Sequence, residues 1–551
     1  MRVYEAVAQY FAAEGVDTQY GLMGDGNMHW MAAMDALPGM RTVTVRHEHC
    51  ALMMAVGHWN VTGAPGVCSV THGPGFTQLA TGLATAARNH AGVVIVAGET
   101  GIGAPWAVQE MDHAPLARAC GAAYLTVHSV KVLQHRVREA FYLARTENRP
   151  VVLGLPIDLQ KAEAPDLPAY RPSTACLQPA TPMAPDPDAV AIMAERLMSA
   201  RAPMLVAGRG ALAAGAGPAI EALADETGAL LGTSLLGKGM FDWHPYSVGV
   251  VGGYISEAGR AAAEATDLVL AFGARLSRFT LDAGHLFGQA EIAQIDLAPQ
   301  PLYEGLEVAR HLMRADAKLA AEALLKAVRA KPHLRPAQIR SADLAERLRR
   351  APADSDPFTP PAGRVDPRRL FEELEPLVQG YHLVSGAAHQ AYWHTTMRTG
   401  PSGGYHAVRA FGAIGNSLSF ASGVAVARGD GRVILSDGDG GLLMHIQELE
   451  TLAREGVKLL ILCLNDEAYG AEIHKLRADG LADTRAMFGA TPLAEVARVF
   501  GLGAATVTDS TDLPALFAQF EADDRAWLWD VKVSDRQQSP PMRAGLARKG
   551  A

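Results

Sequence analysis

Two acidic residues with hard oxygen donors stand in short polar turns between apolar runs. Asp439 sits in Gly438-Asp439-Gly440-Gly441, and Asp466 ends the pair Asn465-Asp466 just before Glu467-Ala468-Tyr469-Gly470. Mg²⁺ takes one or two carboxylates of this kind beside phosphate oxygens and water. The glycines let backbone N–H groups approach a diphosphate. A third acid, Glu48, precedes the apolar residues Cys50, Ala51, Leu52 and Met53. Burial beside such residues raises a carboxyl pKa and suits it to hold or share a proton. Further proton-handling or polar residues occur in glycine-rich or polar surroundings: Asp25 in Gly21–Asn27, His72 in Thr71–Gly75, Gln109 with His113 close behind, His389, and Glu472.

The elements that must position these groups read as follows. Val433–Leu435 and Leu459–Leu464 are apolar on both faces, which suits buried parallel strands. Between them, residues 442, 443, 446, 449, 452 and 453 are apolar, the spacing of a helix over Leu442–Arg454. Strand, glycine turn, helix and strand bring Asp439 and Asp466 to one sheet edge, where open α/β sheets bind ligands. Arg41–Val45 alternates like a strand, and a helix pattern begins at Glu48. Strands and amphipathic helices alternate in three blocks, 1–165, 188–330 and 365–551, separated by proline-bearing stretches at 164–187 and 331–367, with a short helical piece at Ala342–Leu348. The expected fold class is α/β, with three doubly wound parallel sheets. Pro203–Gly210 and Asp267–Ala274 each read as a strand into a glycine turn, a weak dinucleotide signal without the full three-glycine fingerprint.

Bulk properties narrow the class. The 551 residues are 49% hydrophobic and 19% charged, ordinary for a globular protein with large cores. A net charge of −9 argues against a nucleic-acid or anionic-membrane surface. The five cysteines lack metal-type spacing in the sequence and fit reduced thiols in a cytoplasmic chain. The first residues carry no apolar signal core, and no apolar stretch is long enough to span a membrane.

Gly438-Asp439-Gly440 followed by Asn465-Asp466 resembles the Gly-Asp-Gly…Asn-Asn signature of thiamine-diphosphate enzymes, in the acetolactate synthase and pyruvate decarboxylase branch. Arg46-His-Glu48 resembles that family's His-Glu-x-x-Ala motif, and Thr71–Gly75 and Val108-Gln-Glu110 resemble further segments of it. The resemblance covers essentially the whole chain. It implies an aminopyrimidine-binding domain at 1–165, a central Rossmann-like domain at 188–330 and a diphosphate-binding domain at 365–551. It implies thiamine diphosphate and Mg²⁺ as cofactors, with Asp439, Asp466 and the Ala468 carbonyl as metal ligands. Asp466 departs from the family's asparagine and adds charge near the diphosphate. Glu48 is implied to hydrogen-bond the aminopyrimidine N1′ and promote loss of the thiazolium C2 proton. Asp25, His72, Gln109, His113 and Glu472 are implied to face the substrate. The Gly412 carbonyl and Ile414 are implied to shape the bound cofactor. His389, Gly438, Gly440, Gly441, Tyr469 and Gly470 are implied to lie around the diphosphate, although Ser385 and Ala387 depart from the family's turn before His389. FAD occurs in some central domains of the family; here a structural domain is expected instead.

The implied substrate is a 2-oxo acid, acted on by decarboxylation, by carboligation to a second carbonyl, or by both, in the manner of acetolactate synthase. Asp25 and Glu472 lean towards simple decarboxylation to an aldehyde. A lyase of 2-hydroxyacyl thioesters and a non-catalytic cofactor-binding protein stay open as alternatives. The implied assembly is a homodimer or dimer of dimers with sites shared between subunits, and the helices Ala51–Trp59 and Leu418–Ala427 are expected near that interface.

Overall fold

A computed structural model of the chain describes residues 1–549 except 105, 165–166, 179–180, 289, 299–308, 310, 332–336, 388 and 399–401. Its strands form three six-stranded parallel sheets with helices between them, as the alternating pattern predicts. The first sheet runs in the order Arg41–Thr44, Thr18–Gly21, Gly66–Val70, Val93–Glu99, Pro150–Pro156, Ala123–Thr126. The third runs Tyr405–Ala407, His382–Ser385, Val433–Gly438, Leu460–Asn465, Trp527–Lys532, Gly503–Val507. The central sheet is built on Pro203–Ala207 and Leu268–Phe272. In the third sheet Gly438 pairs with Leu464, so Asp439 and Asn465-Asp466 leave adjacent strands side by side. Every residue of both strands is buried, which explains their unbroken apolar character.

One apolar core runs across the first and third domains. At its centre the helix Glu48–Thr62 crosses the helix Ser417–Arg428. Glycine is required on both sides of the crossing. A Cβ at Gly57 would lie 2.2 Å from the Phe420 carbonyl oxygen, and one at Gly423 would lie 2.0 Å from that of Met54. His49 through Gly57 and Ser417 through Val426 are all buried. The two helices expected near a subunit interface are therefore sheathed by the chain itself.

Two local expectations differ in detail. The helix expected over Leu442–Arg454 is two helices, Asp439–Leu443 and Glu448–Arg454. Between them tight bonds, such as His445 N–H to Leu442 and Glu448 N–H to His445, replace the α-helical ladder. The stretch after the first block is partly anchored: Tyr170 stacks on Tyr10 at 4.4 Å, and Ser173 donates to Glu14. Parts of the two expected linkers, at 165–166, 179–180 and 332–336, lie outside the described residues. Among the described residues no helix is long and apolar enough to cross a membrane.

Candidate active site

The third sheet delivers its two acids as a buried pair. The Asp439 and Asp466 carboxyls hydrogen-bond to each other. Burial, and then the charge of Asp439, holds Asp466 well above the usual carboxylate range; burial pushes Asp439 up to about 6. Two such acids share a proton, and a divalent cation would relieve both. The Gln390 amide reaches Asp466 at 3.5 Å and is oriented by the Trp393 indole N–H, which donates to its carbonyl at 2.8 Å. Asn465 is committed to the scaffold, donating to Asp530 at 2.7 Å and accepting the Glu467 N–H at 3.1 Å.

Glu467 takes a left-handed conformation with φ 63°, and Arg364 holds its carboxylate at 3.0 Å. Non-glycine residues adopt this region only where the surroundings enforce it, often at functional sites. Its carbonyl accepts the N–H groups of Phe488 and Gly489, and the Tyr469 N–H donates to Ala486. The Ala468 carbonyl between them accepts no described backbone bond. Glycine is again required beside it. A Cβ at Gly470 would fall 2.2 Å from an Asp466 oxygen and 2.6 Å from the His389 ring, and one at Gly440 would fall 2.7 Å from the Tyr469 ring.

His389 packs edge-on against His474, with ring centroids 5.0 Å apart. The Nε2 atoms of both rings are buried without a partner. Burial lowers both, His389 to about 3 and His474 to about 4, so each is a neutral ring near pH 7. His474 had no role in the sequence reading. Its signal was available: it lies four residues after Gly470, on the same face of the helix Gly470–Ala478. Glu472 is exposed on that helix and pairs with Lys475 at 3.2 Å. Gly412 has φ 75°, and Ile414 follows with its side chain part-exposed.

The first sheet carries the second group. Glu48 begins its helix half-buried, and a Cβ at Gly75 would sit 3.3 Å from its carboxylate. Asp25 is exposed, and its charge acts on the His72 ring, partly offsetting the burial that lowers that ring's pKa. Gln109 is exposed, with its backbone carbonyl over Gly73. His113, expected among the catalytic residues, is turned inward instead. Its Nε2 accepts the Gly73 N–H at 3.0 Å, and its Nδ1 lies 3.3 Å from the Tyr124 hydroxyl, which donates to Glu99 at 2.5 Å. Both ring nitrogens are spoken for, so this histidine braces the Thr71–Gly75 loop from behind.

The donor set fits a divalent cation with a diphosphate. It offers a proton-sharing acid pair, a free carbonyl, two orphaned imidazole nitrogens and a glycine floor under Tyr469. Known proteins bear on the diphosphate. Three family models match: the thiamine pyrophosphate enzyme N-terminal TPP binding domain over residues 1–116, the central domain over 190–324, and the C-terminal TPP binding domain over 386–531. The acetolactate synthase isozyme 2 large subunit of Escherichia coli is 30% identical over 476 residues, covering 84% of this chain and 83% of that protein. A probable acetolactate synthase large subunit of Methanocaldococcus jannaschii is 25% identical over 99% of this chain and 94% of its own. A probable 2-ketoarginine decarboxylase of Pseudomonas aeruginosa is 29% identical, over 85% and 82%. The chain belongs to the thiamine pyrophosphate enzymes, in the acetolactate synthase branch.

Proposed function

We propose that this enzyme depends on Mg²⁺ and thiamine diphosphate, acts on 2-oxo acids, and joins the fragment left after decarboxylation to a second carbonyl compound. The observation that carries the reading is the buried Asp439–Asp466 pair beside the free Ala468 carbonyl and the orphaned nitrogens of His389 and His474. Asp439, Asp466 and Ala468 would hold the ion, and the two imidazoles would meet diphosphate oxygens. When bound, thiamine diphosphate supplies the electron sink for the pair released as CO₂ departs. Glu48 would hold and pass a proton at the aminopyrimidine N1′. Ile414, Tyr469, Phe488 and Met444, each 37–48% exposed, form an apolar rim suited to exclude water once covered.

That rim also supports a homodimer in which the first domain of a second subunit covers the third domain of this one. The middle domain is read as structural, without FAD. Its first glycine turn lacks the full three-glycine fingerprint, and Gly208 and Gly210 serve close backbone packing, where an added Cβ would lie 2.4 Å from Ala274 and 2.8 Å from Gly273.

One observation favours a second reading, simple decarboxylation to an aldehyde: exposed Asp25 acts on the His72 ring, an arrangement able to deliver a proton. A panel of 2-oxo acids with Mg²⁺ and thiamine diphosphate decides between them. Coupled hydroxy-keto products support carboligation, and aldehyde alone supports the second reading. Tight cofactor binding with no turnover of any member would overturn both.

A further inference from the structure

A second cluster of ligating groups lies where the first and third domains meet, on either side of Glu48 in the chain. His47, Cys50 and His445 bring one ligand atom each to within 4.8 Å of one another. Two come from the start of the Glu48–Thr62 helix. The third comes from the tight turns after Leu443, which swing His445 onto it. The His445 ring stacks on His49 at 4.9 Å and meets His47 edge-on at 5.2 Å, and its Nδ1 is buried without a partner. His47 Nδ1 accepts the His49 N–H over a longish 3.2 Å. His49 lies outside this group, with its Nε2 2.8 Å from the Asn416 side-chain oxygen. His47 and His445 are half-buried, which leaves an approach for an ion, while Cys50 is fully buried.

We propose that His47, Cys50 and His445 form a Zn²⁺ site that clamps the first domain to the third. Two imidazoles and a thiolate are a donor set that Zn²⁺ accepts, with water in the fourth position. Zn–N bonds of about 2.0 Å and a Zn–S bond of about 2.3 Å place tetrahedral ligands roughly 3.5 Å apart, so the cluster closes by movements of about 1 Å. The Cys50 thiol, which hydrogen-bonds Glu448 and Ser419, passes its proton to the Glu448 carboxylate and from there to solvent as the Zn–S bond forms, and one ring nitrogen each of His47 and His445 supplies the Zn–N bonds. Neither Asp439 nor Asp466 takes part.

The test uses the chelator-treated protein reloaded with Mg²⁺ and thiamine diphosphate, so that the acid pair is occupied. Equilibrium dialysis against Zn²⁺ should find one tightly held equivalent per chain. Co²⁺ should give tetrahedral d–d bands and a thiolate-to-metal charge-transfer band. Cys50→Ala should abolish the charge-transfer band, and Cys176→Ala, which removes an exposed thiol, should leave it unchanged. If Cys50→Ala does not fold, His445→Gln should lower Zn²⁺ affinity at least tenfold. No tight equivalent, or a charge-transfer band unaffected by both Cys50→Ala and His445→Gln, overturns the site.

Discussion

Replacing Gly423 by alanine adds one methyl group far from any proposed ligand, and it should cripple the enzyme. The new Cβ would stand 2.0 Å from the Met54 carbonyl oxygen. A tolerated carbon–oxygen contact is about 3.3 Å, so the helices must part by roughly 1.3 Å at the crossing. The obstructing atom belongs to helix backbone, which cannot rotate aside as a side-chain end would. Met54 lies six residues beyond Glu48 on one rigid helix, so Glu48 is carried along. A displacement of about 1 Å in a catalytic group costs on the order of a hundredfold in rate. Overpacking of this size costs about 1–3 kcal/mol, too little to unfold a domain of this size outright. Turnover should therefore fall about a hundredfold while far-ultraviolet circular dichroism and Mg²⁺-dependent cofactor binding persist. Gly63→Ala is the control: it ends the same helix at φ 69° with nothing within 4 Å of the added carbon, so it strains the backbone without moving the helix. Wild-type turnover in a folded Gly423→Ala protein would refute the claim that this crossing positions Glu48.

Other outcomes follow from the same geometry. Glu48→Gln should keep cofactor binding and lower turnover by orders of magnitude; unchanged hydrogen–deuterium exchange at cofactor C2 would remove Glu48 from the proton-transfer role. Asp439→Ala should abolish Mg²⁺-dependent cofactor binding without unfolding, whereas Asp466→Asn should stay active with modestly altered metal affinity; loss of cofactor binding in the latter would discredit the ligand assignment. Mixing Glu48→Gln with Asp439→Ala subunits should restore activity through one intact shared site, and no recovery after verified mixing, or an active monomer in sedimentation, would reject that assembly. Acid should loosen the far end of the helix pair. There Arg428 donates to His382 Nε2, His382 Nδ1 meets His406 Nε2 at 2.7 Å, and His406 Nδ1 meets Asn60, so each ring must stay neutral to accept. Burial lowers His382 to about 4 and His406 to about 3, from 6.5. The unfolded chain then binds more protons between those values, so stability is fully present above about 6.5 and declines as pH falls towards 4. Buried His389 and His474 titrate in the same window, so the slope of the thermal midpoint against pH should shrink in part in His406→Gln, and an unchanged slope in that variant would count against the relay.

What the sequence disclosed and what it hid divide along local and non-local lines. The strands Val433–Gly438 and Leu460–Asn465 were legible because residues buried on both faces leave an unbroken apolar run. Asp439 and Asp466 were legible because a parallel pairing and a short turn fix where strand ends emerge. The inward turn of His113 was not, since it depends on Tyr124 and Gly73, which approach from a neighbouring strand and a distant loop. The break after Leu443 was hidden for the same reason. Its apolar spacing is helical, but the Glu448 carboxylate accepts the Arg46 N–H at 3.0 Å, a bond to a residue 402 positions away. The cysteine spacing likewise gave no metal motif, because His445 reaches Cys50 only through the fold.

These distant contacts share one consequence for the proposed chemistry. The segment leading into Glu48 is tied to the third domain at several points: Thr44 to Glu455, the Arg46 backbone to Glu448, and the Arg46 side chain to Glu450. The exposed Arg46–Glu450 pair adds little stability by itself. Together with the glycine crossing and the Asn60–His406 relay, these ties hold the helix at its start, middle and end. Glu48 is thus fixed relative to the Asp439–Asp466 pair of its own chain. If each site combines Glu48 of one subunit with the acid pair of another, the two sites of a dimer are linked through two such rigid bodies. A shift that opens one site must then be transmitted to the other, because the helix pair offers no loose joint to absorb it. Half-the-sites cofactor loading, or two unequal binding steps in a calorimetric titration with thiamine diphosphate at saturating Mg²⁺, is the expected signature. Two identical, independent sites would show that the flexibility lies elsewhere in the assembly.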